Sequence, residues 1–197
     1  MTKQEKLNQI RLDMETDKKL PLISKPEDII PGDGNPNAEI VFIGEAGGRT
    51  EQKQRKPFVG QAGKLLNKLL DLAGIKREDV YITNMVKTRP PDNRDPLPEE
   101  LKAYEVYLDR ELEVIKPKVI VTLGRFSMGK FLHDKKITTT HGHLFRVNFG
   151  GKKVFVIPMY HPAASLRNGN VLKQEQADFL RLPKAMSKID ELLKQDA

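Results

Sequence analysis

The chain has 197 residues, 38% hydrophobic and 31% charged, and its 34 Lys and Arg outweigh 27 Asp and Glu for a net charge of +7. That length and balance fit a single folded domain, 1–197, with its own core, and no apolar run approaches the ~18–20 residues of a membrane span. There is no cysteine, which excludes disulfides, thiolate-held metals or clusters, and cysteine nucleophiles.

Met1–Leu20 is charged throughout and lacks a signal-like apolar stretch, so a cytoplasmic protein is expected. The first strand signal is the β-branched run Glu39–Ile43, buried on both faces, and Gly44-Glu45-Ala46-Gly47-Gly48 turns sharply out of it. Lys56–Gly63 then sets Phe58 ahead of a helix over Ala62–Ala73, which stops at Gly74. Val80–Asn84 is a second strand that ends on an amide. A Pro-rich loop with Lys87, Arg89 and Arg94 leads to a helix over Glu99–Lys116, whose stripe is Leu101, Tyr104, Leu108, Leu112 and Ile115. Val119–Leu123 is a third strand, followed by a short helix near Arg125–Leu132. Phe145–Asn148 and Val154–Ile157 fit a hairpin through Gly150-Gly151, and Val154–Pro158 is the fourth buried strand. From Asn170 the chain is helical again, interrupted or restarted at Pro183.

This alternation implies an α/β sandwich with right-handed crossovers and a mostly parallel sheet. The loops Pro31–Asn37 and Pro90–Pro98 are stiff turns within it rather than domain linkers. Ligands in such folds bind beyond the carboxyl ends of the strands. The residues at or just past those ends are Glu45, Asn84, Gly124-Arg125 and His161-Pro162, so a carboxylate, an amide and an imidazole converge on one sheet edge. Each has a plainer alternative. GEAGG can be a tight turn with an exposed Glu, and it lacks the Lys-Ser/Thr of a phosphate loop. Phe58 can be a hydrophobic staple or a stacking platform. Asn84 can cap its strand or face a ligand; either way a buried amide needs a partner. His161 can be structural. The basic residues can be solvated surface or, grouped at this edge, a phosphate track. His133, His141 and His143 lack metal-ligand spacing, so no metal is assigned.

Taken in order, GEAGG, KPFVGQAG, VYITNMVKTRPPDNRDPLPEE, KPKVIVTLG and MYHPAASLR resemble the motifs of the uracil-DNA glycosylase superfamily, nearest its family-four, iron–sulfur branch. The resemblance runs from about Pro31 to Arg167. It implies a three-layer α/β/α sandwich around a four-stranded, mostly parallel sheet. Two departures stand out. The branch holds a [4Fe–4S] cluster through four cysteines, whereas this chain has Thr88 and Tyr104 at two of those places and, more loosely, Asp17 and Leu20 at the others. No cluster cofactor is therefore expected. Gly47 stands where the family usually has Pro, which removes a backbone restraint beside the pocket.

The resemblance implies a monofunctional enzyme that flips uracil out of DNA and hydrolyses its N-glycosidic bond. Ala46, Phe58 and Asn84 would bind the base, Phe58 by stacking and Asn84 by donating to O4 and accepting from N3–H. Neutral His161 would stabilise the departing anion at O2. Glu45 would orient or activate water and offset the sugar cation. Ser165 would hold a phosphate, Leu166 or Arg167 would fill the vacated stack, and Lys87, Arg89 and Arg94 would follow the DNA backbone. The expected partner is DNA containing uracil or another damaged base, bound by a monomer with no membrane association. The alternatives are a glycosylase for hypoxanthine, xanthine or T opposite G, and a non-catalytic DNA-binding relative.

Overall fold

Side-chain alternation along the buried strands decides the architecture. In the computed structural model, which describes residues Met1–Gln195, Val41 and Ile43 point to one face of the central sheet while Ile40 and Phe42 point to the other. The strands are β1 (Asp33–Gly34), β2 (Ile40–Gly44), β3 (Tyr81–Asn84), β4 (Val119–Leu123), β5 (Phe145–Phe149) and β6 (Lys152–Met159). They lie in the order β1-β3-β2-β4-β6-β5. The inner four are parallel to one another, and β1 and β5 pair antiparallel at the two edges.

The sheet thus has six strands, not the expected four. The inner four match the apolar runs. β1 is two residues long and too short to carry a pattern. β5 is the near arm of the expected hairpin, reversed at Gly150 and Gly151, both at positive φ, and it stays within the sheet as a half-exposed edge.

Helices cover both faces. On one lie α1 (Lys3–Thr16), α4 (Pro98–Ile115) and α5 (Arg125–Phe131), packing Leu7, Ile10, Met14, Tyr104, Leu108, Leu112 and Met128 against Val41, Ile120 and Val156. On the other lie α3 (Gln61–Leu72) and α8 (Gly169–Gln195), packing Leu66, Leu69, Leu70, Phe179, Leu182 and Ile189 against Phe42, Val121 and Phe155. Short helices α2 (Arg49–Gln54), α6 (Ile137–Thr140) and α7 (Pro162–Ser165) complete the chain.

Two helices depart from the sequence pattern. α1 is not signalled there, because only Leu7, Ile10 and Met14 of its 14 residues are buried. It begins on a reciprocal cap in which Thr2 Oγ1 accepts from the Glu5 N–H (3.2 Å) and Glu5 accepts from the Thr2 N–H (2.7 Å). α8 runs unbroken through Pro183. Pro183 is exposed, so the missing donor and the ring fall on the solvent side. Among the described residues no helix is long and apolar enough to cross a membrane.

Candidate active site

The parallel ladder brings Gly44 and Asn84 level at the carboxyl ends of β2 and β3. A side chain at position 44 has no room: its Cβ would lie 2.5 Å from Asn84 Oδ1 and 2.6 Å from the Phe58 ring. Glycine there lets an aromatic and an amide close over the strand end. Phe58 is 5% exposed and held at φ 52°, a left-handed backbone uncommon for an aromatic residue. Its carbonyl presses on Gly63 in the first turn of α3, where a Cβ would come within 2.0 Å of it.

Glu51 of α2 fastens this segment. One carboxylate oxygen accepts the backbone N–H groups of Val59 (3.0 Å) and Gly60 (2.6 Å), and the other accepts that of Gly48 (3.2 Å). One side chain therefore ties the turn after β2 to the turn before α3. Sequence reasoning missed Glu51, although Gly48-Arg49-Thr50-Glu51 carries an acidic residue three places after a helix-starting glycine.

His161 enters from the end of β6. It caps α7, its Nδ1 accepting the Ala163 N–H at 3.1 Å. An accepting Nδ1 carries no proton, so the neutral ring bears its hydrogen on Nε2. Burial pulls the His161 pKa down to about 4, against a small opposing pull from Glu51, and the ring is neutral at physiological pH. It packs over Gly124, with its centroid 5.5 Å from that of Phe58.

Phe58, Asn84, His161, Ala46 and Glu51 line a pocket of about 220 Å³, together with residues around the starts of α2 and α3. Asn84 is 2% exposed, and its Oδ1 has no hydrogen-bond partner within the protein. A buried amide oxygen left open beside an aromatic face and an imidazole N–H is a receptor for a flat polar ring.

Glu45, the residue after β2, is not among the residues that line this pocket; it is half-buried, its backbone carbonyl held by the Val86 N–H (2.9 Å). Burial pushes its carboxyl up to about 7; Asp95 adds to the rise and Arg125 opposes it. Arg49 and Thr50, not anticipated from sequence, also line the pocket.

Residues 31–182 match the model of the uracil DNA glycosylase superfamily. The chain belongs to that family. It is 46% identical over 183 residues to the type-4 uracil-DNA glycosylase of Archaeoglobus fulgidus, covering 90% of this chain and 92% of that protein. The type-4 enzyme of Saccharolobus solfataricus is 47% identical over 165 residues (80% and 76%), and that of Thermotoga maritima 46% over 149 (75% and 77%).

Against this uracil-DNA glycosylase framework, two expected DNA-contacting residues are corrected. Lys87 is not on a surface loop. It is fully buried, its ammonium donating to Glu111 of α4 and to Thr83, while Thr83 also donates to Glu111 (2.9 Å). It cannot reach a phosphate. Ser165 is 3% exposed and its hydroxyl donates to Glu175 of α8, so that hydroxyl is turned inward rather than offered to DNA. Arg89 is half-buried and bonds Asn93 (2.7 Å), while Arg94 forms a two-pronged pair with Glu100 (2.8 and 2.5 Å). Leu166 is 52% exposed, and Arg167 beside it is exposed too.

The places where the family-four branch has cysteine do not fit a cluster. The Tyr104 hydroxyl donates to the Pro21 carbonyl (2.8 Å), and Asp17 accepts from Tyr107 (2.7 Å). Leu20 is core, and Thr88 is fully buried. Hydroxyls, an alkyl group and an engaged carboxylate cannot replace four thiolates. Among the described residues no group of three or more His, Asp and Glu could hold a metal. Gly47, where the family usually has Pro, is buried under Ile30, whose δ-methyl lies 2.2 Å from where a Cβ would stand.

Proposed function

We propose that this chain is a monofunctional uracil-DNA glycosylase acting on DNA as a single domain. The observation that carries the reading is the open, buried Oδ1 of Asn84 between Phe58 and His161. Uracil flipped from the duplex offers N3–H to that oxygen and O4 to the amide's N–H groups while stacking on Phe58. Cytosine offers a bare N3 and an amino group, so both bonds fail, at about 1–3 kcal/mol for each buried group left unpaired.

Breaking the N-glycosidic bond leaves negative charge on the base and positive charge on the sugar. The Nε2–H of neutral His161 meets the anion at O2, and a neutral donor does so without protonating it. Glu45, ionised, orients the attacking water and faces the sugar cation. Leu166 or Arg167, both exposed directly after α7, fills the space the flipped nucleotide leaves. Arg49 and the excess of basic residues supply contacts to phosphates.

The test is incubation with oligonucleotides carrying a single U, hypoxanthine, xanthine or T·G mismatch, with abasic sites revealed by alkali. Cleavage at U is expected to dominate. Cleavage confined to another lesion would overturn the assignment of uracil, and no cleavage anywhere would favour a non-catalytic binder.

A further inference from the structure

The short turn that begins at His161 ends on a second buried polar contact. Ser165 Oγ donates to Oε2 of Glu175, which lies fully buried near the start of α8. The other oxygen of Glu175, Oε1, is buried without a hydrogen-bond partner. Burial pushes this carboxyl up to about 7, the Ser165 bond draws it back, and Asp178 one turn further along α8 adds to the rise. Asp178 is itself occupied, by His141 Nδ1 (2.6 Å) and more loosely by Arg181 (3.7 Å). Simply joining α7 to α8 does not call for an ionisable group with an unmatched oxygen, since an apolar pair would pack there without that desolvation. The contact has a particular place, however. At one end of α7 the ring of His161 is fixed by the Ala163 N–H, and at the other Ser165 is fixed by Glu175. Leu166 and Arg167 come immediately after.

We propose that Glu175 is a positioning residue for the glycosylase: acting through Ser165, it sets the placement of the turn from His161 to Arg167, and with it the aim of the imidazole N–H into the base pocket. The inference rests on the uracil-DNA glycosylase reading. The carboxyl touches no substrate, and Ser165 is its only hydrogen-bond partner among the described residues.

Single-turnover uracil excision at saturating enzyme tests this in S165A, E175A, E175Q and the double variant S165A/E175A, and in E175A made on an H161A background, with Tm measured for each. S165A and E175A are each expected to slow excision by about tenfold, the scale of losing a group that orients a functional side chain. The double variant is expected to be no slower than either, and E175Q, whose amide carbonyl accepts the same bond, to rescue most of the loss. E175A should add nothing once His161 is gone. Additive losses, wild-type rates in S165A and E175A, or an undiminished E175A effect without His161 would each overturn the proposal. If E175A does not fold, S165A carries the same comparison. A second readout needs no turnover: the ¹⁵N NMR shifts of the His161 ring should move in S165A and in E175A and stay near those of the wild type in E175Q. Unmoved shifts would overturn the positioning role, whereas an inactive wild type with moving shifts would overturn only the functional reading.

Discussion

Asn84 presents an acceptor where uracil carries N3–H and cytosine carries a lone pair, so its substitution tests selectivity directly. Asn84→Asp should admit cytosine weakly while losing much uracil activity, and Asn84→Ala should lose both, measured on paired U and C oligonucleotides. An Asn84→Ala enzyme at the wild-type rate would remove this residue from the pocket. Glu45 makes a separate prediction, in pH. Its carboxyl sits near 7 because of burial and Asp95, so it is protonated and unable to activate water below that value. The single-turnover rate should therefore rise with pH through about 7, and Glu45→Gln should abolish that limb. Glu175→Gln should keep it, because Ser165 donates to either protonation form of Glu175. His161 should add no limb between pH 5 and 9, being held down to about 4. Asn84 and His161 are legible in the sequence because each is a polar residue at or just past the end of an apolar strand, and Phe58 because it is an aromatic set just ahead of a helix. Lys87 is not. A lysine in a basic, Pro-rich loop looks solvated, and its partner Glu111 lies 24 residues away on a helix whose packing only the fold reveals.

At the scale of elements, the site depends on two strand ends meeting with nothing between them. Gly44→Ala should push a methyl into Asn84 and Phe58, costing about 1–3 kcal/mol as overpacking does and most of the excision rate. Denaturant melts and single-turnover assays on the same preparations would show it, and an unchanged rate would mean the pocket is not closed this way. The β3–α4 junction makes a second prediction. Glu111→Gln leaves the buried Lys87 ammonium without its counter-charge, and breaking a buried pair from one side costs about 3–5 kcal/mol. Burial already lowers the Lys87 pKa, so the variant's remaining stability should rise as pH increases and Lys87 gives up its proton. Urea midpoints at pH 7 and pH 9 would measure both effects. Most elements are legible from periodicity and caps. α1 is not, since four apolar residues in 14, of which only three are buried, leave a surface almost indistinguishable from a solvated charged segment. Nor is β1, whose two residues pair only because β3 presents an edge.

For the whole molecule, stability without a cluster is the distinguishing property. α1 and the segment after it are fastened to α4 by the hydroxyls of Tyr104 and Tyr107 and by apolar packing around Met14 and Leu20. Excision and Tm should therefore be unaffected by EDTA, and purified protein should show no iron–sulfur absorption. Loss of activity on chelation would contradict this. The two cores on opposite faces of the sheet are implicit in the continuous apolar strands. Which helix covers which face depends on strand order, and the sequence pattern alone does not state that order.

The 27-residue helix α8 also fixes when in its synthesis the protein becomes an enzyme. Its inner residues Phe179, Leu182 and Ile189 seal the face that carries Phe42, Val121 and Phe155. Glu175 braces the His161 turn near its start, and Asp190, about 22 Å further along the axis, pairs with Lys118 at the opposite end of the sheet. All six strands and the walls contributed by Phe58 and Asn84 leave the ribosome before this helix does. Until it emerges, that face is covered only in part, by α3, and the growing chain holds a nearly finished base pocket beside exposed apolar surface, a species prone to association. A nascent or truncated chain ending ahead of α8 would expose that surface instead of excising bases, so competence to act on DNA arrives late in translation.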